Sequence, residues 1–180
     1  FEINLLKLMG YLKDEIVVVA ATTSTETVLP RLMQKLTAAG CDESVVGLVV
    51  PLGYSFNLDG TCLYLATTSV FLAQATGSHL SLSQQIGLLM VMLLTSKGAA
   101  GVAGAAFIVL AAPLASPGAA PVGAIALVLG VHRILAEALT FVNLIGNSLA
   151  TLVVARWEGA LDRHALAARL APKPPTLIAA

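Results

Sequence analysis

Charge is scarce in this chain. Of its 180 residues, Lys+Arg and Asp+Glu number 10 each and together make up 11%, where a soluble domain carries about 25%. The balance leaves no basic patch for nucleic acid and no acidic tail. Aromatics are 5%, too few for a base-stacking platform, so no nucleic-acid partner is expected. The two cysteines, Cys41 and Cys62, have no C-x-x-C spacing and no His pair beside them. That argues against a zinc or redox centre and leaves free thiols. No G-x-x-x-x-G-K-[ST] or G-x-G-x-x-G run occurs, so nothing marks a nucleotide-driven pump. His, Ser and Asp are too sparse and too far out of pattern for a catalytic triad. We therefore expect no enzyme and no organic cofactor. The chain starts at Phe1 with no signal-peptide pattern, and it reads as a piece of a longer protein.

Hydrophobic residues fill the gap, at 57% with a mean hydropathy of +0.88. This is membrane-protein composition. Basic residues cluster near the outer ends of the first segment and in the tail, which predicts that those ends lie in the cytoplasm.

One stretch breaks the apolar run: Gly53-Tyr54-Ser55-Phe56-Asn57-Leu58-Asp59-Gly60-Thr61. From Ser44 to Ser96 the only formal charge is Asp59. A lone carboxylate in a membrane-length segment is costly and usually marks an ion site or a pathway. Glycines let a helix open there and free backbone carbonyls as ligands. The plain alternative for Asp59 is a helix cap after the break.

Three other polar clusters accompany it. Thr22–Thr27 separates two short helical stretches, the second starting near Leu29-Pro30 and ending at Gly40. This predicts a re-entrant hairpin; the plain reading is a helix–loop–helix with a Ser/Thr cap. Thr95–Gly104 separates helices over 80–94 and 105–116, a second hairpin, with Gly77-Ser78-His79 as the loop before it. Arg133, Glu137, Thr140 and Asn147 share a face of a long helix over 121–157, with Asn143 adjoining and His132 on the flank. Asn143 and Asn147 suit interhelical hydrogen bonding equally well. Lys97 suits snorkelling or a backbone carbonyl better than a substrate contact, and the glycine spacing over 98–104 suits helix packing. Two interrupted segments in corresponding halves point to a secondary transporter's binding site.

Four motifs in order and spacing, Ala-Thr-Thr-Ser-Thr-Glu-Thr-Val-Leu-Pro (21–30), Gly-Tyr-Ser-Phe-Asn-Leu-Asp-Gly-Thr (53–61), Ser-Lys-Gly-Ala-Ala-Gly-Val (96–102) and Asn-Leu-Ile-Gly-Asn (143–147), carry a family resemblance. The chain resembles the C-terminal transport core of dicarboxylate/amino acid:cation symporters, closest to the bacterial aerobic C4-dicarboxylate transporters. The resemblance implies an all-α membrane protein of elevator type. It has two re-entrant hairpins plus two transmembrane helices, one of them broken. Residues 1–157 form the core, with hairpins over 1–40 and 80–116, the broken helix over 43–77 and the last helix over 121–157. Residues 158–180 form a cytoplasmic tail.

It also implies a substrate such as succinate, fumarate or malate, coupled to H⁺ or Na⁺, in a homotrimer in the bacterial inner membrane. The first six helices, which build the family's scaffold, would lie outside this chain. Ser24, Thr25, Thr61, Val102, Gly104, Thr140 and Asn143 would contact substrate. Gly53, Asn57, Asp59, Asn143 and Asn147 would serve cations, with Na⁺ at Asn57, Asp59 and Asn147. The sequence departs from the family at three positions. Leu139 stands where an Arg binds the substrate's distal carboxylate, and His132 where an Asp is usual. Asn147 replaces the Asp of sodium-coupled members, as in the dicarboxylate branch. Leu139 opens a second expectation, the same fold with a shifted substrate. A third is a truncated, inactive membrane protein.

Overall fold

The computed structural model describes residues 3–56, 58–98, 105–114 and 121–171. The described residues are helical apart from turns and one isolated bridge between Cys41 and Leu161. The calls on Asn57, Val102 and Gly104 fall outside them.

The first hairpin begins with α1 (Leu5–Tyr11) and α2 (Lys13–Thr22). A short 3-10 turn at Glu26–Val28 leads into α3 (Leu29–Ala38), with Pro30 in its first turn, where its missing amide hydrogen costs nothing. The two arms are fastened near their base by charge. Glu15 on α2 is completely buried, with its carboxylate 2.5 Å from Lys35 Nζ and 3.5 Å from Arg31, both on α3. Lys35 also donates to the Tyr11 carbonyl at 2.9 Å, and the Tyr11 hydroxyl donates to the Lys35 carbonyl at 2.8 Å. A buried carboxylate is tolerated only with such partners.

The broken segment forms α4 (Glu43–Phe56) and α5 (Asp59–Ala75). The break is narrower than the sequence suggests. Asp59, Gly60 and Thr61 are not unwound but form the first turn of α5.

The second hairpin starts at α6 (Leu82–Thr95), whose Ser81 and Gln84 form a reciprocal capping box. A 3-10 turn follows at Ser96–Gly98. The single helix expected over 105–116 is instead two pieces, α7 (Ala105–Val109) and α8 (Ala111–Leu114). Residue 113 is proline, which has no amide hydrogen for the carbonyl four residues back, and this interrupts the helix one turn earlier.

The long helix α9 (Ala126–Trp157) follows a 3-10 turn at Val122–Ile125. With that turn it makes 35 residues, with an 18-residue window of mean hydropathy 1.8, the one described helix long and apolar enough to cross a membrane. Its 32 residues span about 48 Å, more than the roughly 30 Å of a bilayer's hydrocarbon. The chain then turns back into α10 (Arg163–Leu170). The Asp162 amide donates to the Gly40 carbonyl at 2.8 Å, and the Asp42 amide to the Ala160 carbonyl at 2.9 Å. Gly40 has φ +97, and an added Cβ would lie 2.6 Å from the Asp162 carbonyl oxygen, so glycine is required at this joint.

Two apolar cores meet along α9. One joins the first hairpin, α4 and the C-terminal half of α9 through Leu32, Val50, Tyr54, Leu144 and Leu152. The other joins α5, α6, α7, α8 and the N-terminal half of α9 through Leu65, Leu72, Met92, Leu110 and Leu139. The change from one core to the other falls at the break.

Candidate functional site

Asn143 and Asn147 sit one turn apart on α9 and each meets one half of the broken helix. An added Cβ at Gly53 would lie 1.8 Å from Asn147 Oδ1, so α4 and Asn147 are in direct contact there. An added Cβ at Gly60 would lie 2.2 Å from the Leu139 carbonyl oxygen, so α5 and α9 touch backbone to backbone. Glycine at 60 is therefore a packing requirement, whereas a side chain at 53 would have to displace the Asn147 carboxamide.

The residue before α5, Leu58, offers no side-chain cap. The cap comes from across the molecule. Asn143 Oδ1 accepts from the Gly60 amide at 2.8 Å, while Asn143 Nδ2 donates to Thr61 Oγ1 at 3.1 Å. Asn143 and Thr61 are both buried. One carboxamide thus satisfies an orphan amide of the first turn and a buried hydroxyl. That supplied cap explains why α5 starts at Asp59 and not further on. The Asp59 carboxylate is exposed at the helix N-terminus, the end that favours negative charge.

The first tip packs against α4. The Tyr54 hydroxyl donates to the Thr25 carbonyl at 2.7 Å in a buried bond. Ser24 and Thr25 are buried. Thr22 and Thr27 use their hydroxyls within the tip, bonding to the Val18 and Ser24 carbonyls at 2.9 and 2.8 Å. Thr23 holds φ 50, a left-handed conformation that a β-branched residue seldom adopts.

The second tip reaches both sides of the break. Lys97 Nζ donates to the carbonyl of Phe56, the last residue of α4, at 2.6 Å. Cys62 Sγ, in the first turns of α5, lies 3.4 Å from Ser96 Oγ and donates to it.

On α9, Thr140 is buried and donates back to the Ala136 and Glu137 carbonyls at 2.9 and 3.0 Å. Arg133 points away from this cluster. It pairs with Glu137 at 2.9 Å and donates to the Ala21 carbonyl at 3.3 Å. Leu139 is buried in the second apolar core. His132 Nδ1 and the Tyr64 hydroxyl share a 2.9 Å hydrogen bond, with the Phe107 ring 4.7 Å away.

Each of the other three sequence clusters thus bonds to the broken segment, through Thr25, through Ser96 and Lys97, and through Asn143, while Arg133 and Thr140 do not. The sequence reading assigned no site contact to Tyr54, Cys62, Ser96 or the His132–Tyr64 pair. The signal available for Tyr54 was a lone phenol in an apolar helix, since a buried hydroxyl needs an acceptor. Among the described residues, no group of three or more His, Cys, Asp or Glu side chains could hold a metal ion.

The described site is two half-helices that meet at a break and pack against one long helix bearing polar residues. The chain belongs to the sodium:dicarboxylate symporter family, whose profile matches residues 1–157. It is 53% identical over 167 residues to the C4-dicarboxylate transport protein of Erwinia tasmaniensis, covering 93% of this chain and 39% of that protein. It is 56% identical over 164 residues to that of Laribacter hongkongensis, covering 91% and 37%. It is 52% identical over 163 residues to that of Acinetobacter baylyi, covering 91% and 36%. The chain therefore spans less than two fifths of the length of these relatives. The family places it among membrane transporters and not among enzymes.

Proposed function

We propose that this chain is the transport core of a symporter that carries a small carboxylate, a C4-dicarboxylate such as succinate, fumarate or malate, together with Na⁺ or H⁺. The observation that carries the reading is the break itself. The C-terminus of α4 at Phe56 and the N-terminus of α5 at Asp59 lie within three residues of each other, with Asn143 bonded across to α5. A helix C-terminus favours a cation and a helix N-terminus favours an anion, so one opening suits both halves of a coupled pair. The names of the relatives support the substrate class.

In this reading Ser24, Thr25, Thr61, Val102, Gly104, Thr140 and Asn143 hold the substrate. Gly53, Asn57, Asp59, Asn143 and Asn147 serve the cation. The hairpins are re-entrant, and the second acts as the gate. The unit moves as an elevator against a scaffold supplied by a longer chain, in a homotrimer in a bacterial inner membrane. The exposed Leu48, Leu52, Phe71, Leu89 and Ile134 face lipid or that scaffold. Uptake of labelled succinate by the full-length protein tests this, with Asp59→Asn as the comparison. Uptake unaffected by that change would sink the role of Asp59.

A second reading is favoured by Leu139, whose buried side chain carries no charge for a distal carboxylate. It keeps the fold and shifts the substrate toward a monocarboxylate or neutral solute. Competition by succinate, aspartate and neutral amino acids separates the two readings.

A further inference from the structure

Between Ser44 and Val131 the sequence holds two formal charges, Asp59 and Lys97. Both lie at the break. Lys97 Nζ is 2.6 Å from the Phe56 carbonyl oxygen, and the ammonium also lies 6.0 Å from the Phe56 ring centroid. The neighbouring Ser96 is bonded to Cys62 on α5, so the turn that carries Lys97 is anchored on the other side of the break as well.

The last carbonyls of a helix lack intrahelical partners and carry partial negative charge. In a broken-helix transporter this end of the half-helix is where a free cation is drawn. Here a covalently attached ammonium already bonds to the final carbonyl. A second cation at the same oxygens would meet like-charge repulsion.

We propose that Lys97 is a tethered cation. Its ammonium occupies the Phe56 carbonyl at the C-terminal end of α4 in place of one of the free monovalent ions, leaving the Asp59 side of the break to another, and by doing so latches the turn that holds Ser96 and Lys97 to the break. The proposal rests on the reading of the chain as a cation-coupled carboxylate symporter. It names the residue that decides how many free ions that symporter needs.

The test compares wild type, Lys97→Met and Lys97→Arg in the full-length protein in membranes. Succinate uptake is measured in Na⁺ and in choline medium. Stimulation by Na⁺ rises about fivefold or more in Lys97→Met relative to wild type, the lower range of typical site coupling, and Lys97→Arg behaves as wild type. Equal Na⁺ dependence in all three overturns the proposal.

A second readout needs no transport. Without Na⁺, alkylation of Cys62 is faster in Lys97→Met than in wild type, and Na⁺ slows it again in the variant alone. Equal Cys62 rates in both proteins, unmoved by Na⁺, overturn the latch. If no form takes up a carboxylate under any ion, the symporter reading fails, and the Cys62 rates still decide whether Lys97 holds the tip.

Discussion

The two hairpins are fastened by opposite means. The first is tied internally: Glu15, Lys35, Arg31 and Tyr11 cross-link its arms, and the tip hydroxyls of Thr22 and Thr27 bond within the tip. The second has no formal charge in its described arms, and the described residues of its tip add outward contacts, Lys97 to Phe56 and Ser96 to Cys62, to their bonds back onto α6. A part fastened internally moves as a body. A part fastened by a few outward polar bonds is released by breaking them. This difference is the one that the proposed gate role of the second hairpin calls for.

The largest expected effect lies in the first hairpin. Lys35→Met removes the closest partner of the fully buried Glu15, and stripping one member from a buried pair costs about 3 kcal/mol. A thermal midpoint in detergent near that of wild type would mean that the charge network does not fasten the arms. Next is the cap shared between α9 and α5. Asn143→Leu leaves the Gly60 amide and the Thr61 hydroxyl buried without that partner, at a cost of about 2 kcal/mol, read by the same melt. Asn143→Asp keeps the acceptor for Gly60 and loses less. The smallest is Tyr54→Phe, which deletes one buried bond from α4 to the first tip and costs about 1 kcal/mol. If Tyr54→Phe equalled Lys35→Met, the first tip would depend on α4 as much as on its own ties, and the contrast between the hairpins would narrow.

Much of this arrangement was legible in the sequence. The all-helical character, the interruption between α4 and α5 and the long last helix followed from apolar periodicity punctuated by polar clusters. The pairing of Lys97 with a backbone carbonyl was anticipated, because a lone ammonium in an apolar segment needs oxygen partners. The exact start of α5 was not legible. It depends on a carboxamide 83 residues away, and no local pattern announces a cap supplied by another helix. The interruption between α7 and α8 was passed over although Pro113 was in plain view. The apolar run there argued for one helix, and the missing amide outweighed it. The roles of Gly53 and Gly60 as contact points also needed the structure, since only α9 shows what a methyl group would strike.

The two cysteines provide a direct measurement of the central claim, that substrate binds at the break beneath the second tip. Cys62 lies next to Thr61 and under Ser96. Cys41 is buried in the other core, and burial pushes its thiol up to about 11, so it stays almost unreactive near neutral pH. In the full-length protein in membranes at pH 7.5 (about a physiological value), saturating succinate is predicted to slow alkylation of Cys62 several-fold while Cys41 remains unlabelled. Cys62 labelling at the same rate with and without succinate, in protein that takes succinate up, would contradict the placement of the site.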